Sequence, residues 1–200
     1  MCADVGTPPA SEPQHSSRDL AVRTSSLVLY AILVGLAIQY GIERFLSDNA
    51  TWITYVNFGT FLVTAIRFFH GNSIYHERPI AVSPLRFMMD FYFSMATLIV
   101  ICVVGRSINE PVRFIFALFL LCAVDGTWGM LSMLTQRRSR PKHFIIWSAL
   151  SFTFAALTLA VLWAGLAHKH WLPPVLLAIV LGLTILDYVL CRQLYFGTRQ

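Results

Sequence analysis

Arg67, Asp90, Asp125 and Asp187 stand inside long apolar stretches of a 200-residue chain. An ionisable side chain in hydrocarbon is expensive unless it is paired, protonated or turned toward water, so each of the four needs a physical reason. Three carboxylates and one guanidinium can form an ion pair, share a proton or line a polar path. The set is net negative, which favours a cation, a proton or a cationic headgroup over an anion. His70 follows Arg67 by three residues and shares its helical face. Its charge changes near neutral pH, which allows coupling to protons. Ser94 lies one turn from Asp90 and Trp128 one turn from Asp125, while Thr184 and Tyr188 flank Asp187. Asn72 extends the polar end of the second apolar stretch. The candidate polar cavity is therefore Arg67, His70, Asp90, Asp125 and Asp187, supported by Asn72, Ser94, Thr184 and Tyr188.

Two other chemistries compete. In the first, the charges are structural: Arg67 pairs with Asp90, and Asp125 and Asp187 are held by Ser, Thr and Tyr. Such interhelical contacts are worth only ~0.6–2 kcal/mol, enough to hold register. In the second, Asp125 and Asp187 form an acid–base dyad of a membrane enzyme acting on lipid or peptide. Val124-Asp125-Gly126 and Leu186-Asp187-Tyr188 lack the Gly-x-Gly-Asp element of intramembrane aspartyl proteases. His70, His76, His143, His168 and His170 are dispersed without a HExxH or HxxxH pair, so no metal site is expected. No P-loop or GxGxxG is present, and no cofactor is expected.

The elements that must position these groups follow from composition. The chain is 56% hydrophobic and 12% charged, with mean hydropathy +0.64. Soluble domains carry about 25% charged residues, so the deficit points to lipid. Six stretches, 26–45, 52–70, 87–104, 112–134, 144–166 and 172–194, have roughly the ~20 residues a helix needs to cross a bilayer core. The expectation is an all-α integral membrane protein: a six-transmembrane-helix bundle built from three helical hairpins. Its domain spans 26–195, between a disordered tail over 1–25 and a short tail over 196–200. The first stretch has no small-residue cleavage site after it and reads as a retained anchor.

Orientation follows from the basic residues. With the N-terminus inside, the inner segments hold Arg18, Arg23, Arg78, Arg86, Arg137, Arg138, Arg140, Lys142, Arg192 and Arg199. The outer ones hold Arg44, Arg106, Arg113 and Lys169. Both termini are therefore expected to be cytoplasmic, in a plasma membrane or bacterial inner membrane. Arg67 then lies about 22 Å below the outer end of its helix at 1.5 Å per residue. Asp187, Asp125 and Asp90 also fall in the inner half of the bilayer. Thr64-Ala-Ile-Arg67 with Tyr75, and Thr184-Ile-Leu-Asp187 with Tyr195, form a faint internal echo at equal depth.

Further signals concern packing and partners. Arg137, Arg138, Arg140 and Lys142 form the densest charge, a positive-inside signal that could also meet anionic lipid headgroups. It is too small a basic surface for nucleic acid. Ala156, Ala160 and Ala164, and the shorter Ala31 and Gly35, are small-residue ridges expected to pack within the bundle, or else against a homo-oligomer or partner membrane subunit. Trp52, Trp147, Trp163 and Trp171 read as interfacial anchors. Prolines fall outside the spans or in their first turns, which counts against the broken helices of an alternating-access carrier. Cys2, Cys102, Cys122 and Cys191 form no close pair, and no disulfide is expected.

Overall fold

A computed structural model describes the backbone of residues 17–77, 84–135 and 141–192, and the side chains of 28–71, 88–134 and 144–192. Six α-helices occur among the described residues: α1 Ser17–Phe45, α2 Trp52–Glu77, α3 Pro84–Arg106, α4 Pro111–Thr135, α5 Pro141–Trp163 and α6 Leu172–Leu190. No strand occurs among the described residues. Pro84, Pro111 and Pro141 open α3, α4 and α5, and Pro173 and Pro174 lie in the first turn of α6. At such positions the missing N–H removes no helical hydrogen bond. α5 stops short of the expected 166 because Gly165 turns left-handed, with φ 66, into a 3-10 turn at Leu166–His168. α6 is Leu172–Leu190, and residues 193 and 194 at the expected end of its stretch lie outside the described residues, whereas α1 and α2 run beyond the apolar stretches that announced them.

Five helices are long and apolar enough to cross a membrane, through Val28–Phe45, Met88–Arg106, Pro111–Leu134, Phe144–Trp163 and Leu172–Leu190. The chain is thus an all-helical, multi-pass type of membrane protein. α2 has the length but falls short in apolarity. The reason is a polar stripe, Thr54, Asn57, Thr60, Thr64 and Arg67, all buried and recurring every three or four residues. Its polar side therefore faces the protein interior, the reverse of a helix on a water-soluble surface. Several hydroxyls are satisfied on their own helix, as when Thr60 Oγ1 donates to Val56 O at 3.0 Å and Thr64 Oγ1 to Thr60 O at 2.7 Å. This satisfies the hydroxyl without help from another helix.

α4 is the most enclosed of the five, with 56% of its span buried against 22–39% for the others. It packs most extensively on α5 and also on α3; α1 lies on α3 and on α2, and α2 lies on α6. The expected hairpin of α5 with α6 makes only a slight contact, and α2 scarcely meets α3. Around the bundle the contacts run α1, α3, α4, α5, α6, α2, so that α1 neighbours α2 and α3 neighbours α4, while α5 and α6 hardly touch. Fully buried Phe61, Phe68, Phe114, Leu118, Leu121 and Leu176 join α2, α4 and α6 in one core. Gly105 lets α3 approach α1: a Cβ there would stand 2.6 Å from the Ala37 carbonyl oxygen. At the end of the bundle holding the α1–α2 and α3–α4 loops, Asn57 Nδ2 donates to Ile108 O at 2.9 Å and Asn109 Nδ2 to Ser47 Oγ at 3.3 Å.

The small-residue ridges do not pack inside. Ala156, Ala160 and Ala164 are exposed, as are Ala31 and Gly35. On α5 the buried face is Ser151, Phe154, Ala155, Thr158 and Val161, and the alanines fall on the other side of the helix. Larger side chains with partners in the core set the rotation of α5, and the small residues follow.

Candidate functional site

Three elements bring the charges together. Arg67 projects from α2 and Asp187 from α6, and these two helices are packed on each other. Arg67 Nε donates to Asp187 Oδ2 at 3.1 Å, with the side chains 7% and 0% exposed. The partner is thus Asp187 and not the Asp90 considered from sequence, because α2 lies along α6 and barely touches α3. Equal depth in the two helices, the basis of the faint internal echo, is realised as a direct ion pair. Arg67 Nη2 has no hydrogen-bond partner among the described residues.

Asp125, on the enclosed α4, is within electrostatic reach of Arg67 and Asp187. Two donors from α5 meet its Oδ2: Ser151 Oγ at 2.6 Å and the indole N–H of Trp147. Trp147 and Ser151 are four residues apart and so share one helical face. Trp147 is 5% exposed. It is therefore not the interfacial anchor its position near a span boundary suggested; the glycine facing it, Gly71 of α2, makes room for the ring. A Cβ on Gly71 would overlap the six-membered ring of Trp147. Trp52, Trp163 and Trp171 are exposed, as an anchoring role requires.

Asp90 stands apart from this core and is half-buried. Its Oδ1 accepts a hydrogen bond from Trp128 Nε1 at 3.1 Å, and the Trp128 and Trp147 rings meet edge-on with centroids 6.0 Å apart. The aromatic pair therefore links the carboxylate of α3 to that of α4. On the other side of Arg67, His70 Nδ1 lies 3.0 Å from Tyr188 Oη, and their rings are 5.5 Å apart. Thr184 is turned to its own helix, donating to Val180 O at 2.7 Å. Ser94 is half-buried and makes no side-chain hydrogen bond among the described residues. The side chains of Asn72 and Lys142, and all of Arg137, Arg138 and Arg140, lie outside the described residues.

Of the five sequence-derived residues, Arg67 and Asp187 pair directly, His70 meets Tyr188, and Asp125 and Asp90 are joined through Trp147 and Trp128. Sequence reasoning assigned no role in the site to Gly71 or to Trp147. The Trp147–Ser151 spacing was the available signal. Among the described residues that are buried, two carboxylates, Asp125 and Asp187, stand against one cation, Arg67. A guanidinium keeps its charge in any environment, so it can neutralise one carboxylate but cannot adapt to two. The remaining negative charge can be met by a proton or a bound cation. No group of three or more His, Cys, Asp or Glu able to hold a metal ion occurs among the described residues. Comparison with protein-family models, with curated proteins and with solved structures finds no match to this chain.

Proposed function

We propose that this protein is a six-span, N-in/C-in membrane channel or transporter for a proton or small cation, with Asp125 as the binding carboxylate. The observation that carries the reading is the buried charge imbalance, Asp125 and Asp187 against Arg67. Arg67 and Asp187 form the fixed, internally neutral part of the site. Asp125 holds the exchangeable charge, and Asp90 with Trp128 lies on the way to it. His70 and Tyr188 border the pair and offer groups that can accept or donate a proton. In this orientation the basic run Arg137, Arg138, Arg140 and Lys142 faces anionic headgroups of a plasma or inner membrane. The test is reconstitution of the purified chain in liposomes, with proton, Na⁺ and K⁺ flux followed under an imposed gradient. The expected result is flux above protein-free liposomes that Asp125→Asn abolishes while the helical circular dichroism is kept. A wild-type protein that passes none of the three ions refutes the reading.

A second reading is favoured by the completeness of the contacts. Asp125 Oδ2 accepts two donors and Asp187 is directly paired, as expected of a static polar core in a non-catalytic membrane subunit, sensor or effector module. On that reading Asp125→Asn lowers stability, and no ion flux is found in either protein.

A further inference from the structure

Trp147 occupies a position that packing alone does not demand. Its ring lies in the space left by the missing side chain of Gly71, one helical turn from Arg67 and next to His70. Its N–H points to Asp125 Oδ2, the oxygen that Ser151 Oγ also serves at 2.6 Å. Its edge meets Trp128, whose own N–H holds Asp90. An indole N–H is a donor only, whereas a hydroxyl can turn to donate or accept. Hydrogen bonds to an ionised acceptor are roughly twice as strong as those to a neutral one. The Trp147 contact is therefore tight while Asp125 is charged and slackens when Asp125 gains a proton or a bound cation.

We propose that Trp147 is the positioning residue of the site, clamping the charged form of Asp125 while its seat on Gly71 ties that clamp to α2. The inference rests on the preceding assignment of Asp125 as the exchangeable carboxylate. It adds the element that senses exchange: α5 and α2 are held together through the ring when Asp125 is charged and released when it is neutralised. The charged and titratable groups that act on Asp125 are Arg67 of α2, Asp187 of α6 and Cys122 of α4 itself, with Asp90 of α3 reached through Trp128. Among the described residues, α5 contributes Trp147 and Ser151, neither of which titrates, so a variant there alters the hold on Asp125 without removing a charge.

The experiment is a pH titration of tryptophan emission on the full chain in detergent micelles, a readout that does not depend on transport. In the wild type, emission is expected to change as Asp125 takes up its proton, and this response should be missing from both Asp125→Asn and Trp147→Phe. Ser151→Ala removes the second donor and leaves the Gly71 seat intact. It is expected to move the half-point to about tenfold lower proton concentration, the effect of losing one hydrogen bond to a charged group. Gly71→Ala, which displaces the ring, is expected to move it the same way. If Trp147 merely fills space, Trp147→Phe keeps the full response, and Ser151→Ala and Gly71→Ala change only thermal stability; that result overturns the proposal, as does an unaltered response in Asp125→Asn. A protein that keeps the emission response but conducts no ion retains the clamp and loses the transport reading, so the two failures are separable.

Discussion

Removing Asp187 alone should harm this protein less than removing Asp187 and Asp125 together, and by more than the sum of the parts. The Arg67–Asp187 contact is 3.1 Å long and almost fully buried. At that distance, with an effective dielectric constant of about 20, the attraction is roughly 5 kcal/mol. Breaking a buried pair by deleting one partner typically costs about 3–5 kcal/mol, because an uncompensated charge is left behind. In Asp187→Asn the guanidinium still has Asp125 within reach, so the loss should fall below about 3 kcal/mol, the lower edge of that range. Asp125→Asn leaves the direct pair intact and should remove about 1–2 kcal/mol, the difference between charged and neutral acceptors for Trp147 and Ser151. With both replaced, Arg67 keeps its charge and has lost the two buried carboxylates that act on it among the described residues, and a coupling of about 1–3 kcal/mol beyond additivity is expected. Arg67→Met behaves differently. It leaves two carboxylates that can take up protons, so its destabilisation should shrink as the pH falls, whereas that of the double Asp variant should not. The assay is reversible unfolding in mixed micelles by graded SDS, followed by far-UV circular dichroism at neutral and acid pH. Additive losses for the two Asp variants, together with an Arg67→Met variant indifferent to pH, would refute the reasoning.

Three further outcomes test the packing of the bundle. Gly105→Val should cost about 1–3 kcal/mol through forced separation of α1 and α3, since its Cβ would meet the Ala37 carbonyl; Gly35→Ala, where nothing lies within 4 Å, should instead raise thermal stability slightly through helix propensity. Asn57→Ala should lower stability by about 1–3 kcal/mol by leaving the Ile108 carbonyl without its buried donor, and SDS titration of the single variant against wild type measures it.

Apolar runs were enough to locate the helices, because length and hydropathy are properties of a segment by itself. Some ends followed from proline chemistry, as at Pro111, Pro173 and Pro174, whereas the start of α5 at Pro141 and its stop before Gly165 were not anticipated. Neighbour relations were legible only in part: α1 packs on α2 and α3 on α4, as short loops suggest. The short link between α5 and α6 suggested a hairpin, yet α2 is the helix that packs along α6, because the buried faces of Arg67 and Asp187 decide the matter over 120 residues of chain. The charged members of the cluster were legible since each is anomalous in its own segment. Trp147 was not, since an indole near a span boundary satisfies lipid interface and protein core equally well, and only the absence of a side chain at Gly71 distinguishes them. The alanine ridge misled for a related reason: small residues permit close approach but do not require it.

The Arg67–Asp187 pair also orders events in time. Its members are 120 residues apart, and synthesis runs from α1 to α6, so the guanidinium is made long before its carboxylate. Until then Asp125, arriving about midway, is the buried acid within reach of it. Asp125 therefore precedes Asp187 in synthesis as a carboxylate within electrostatic reach of Arg67, and the direct ion pair needs α6 to be in place.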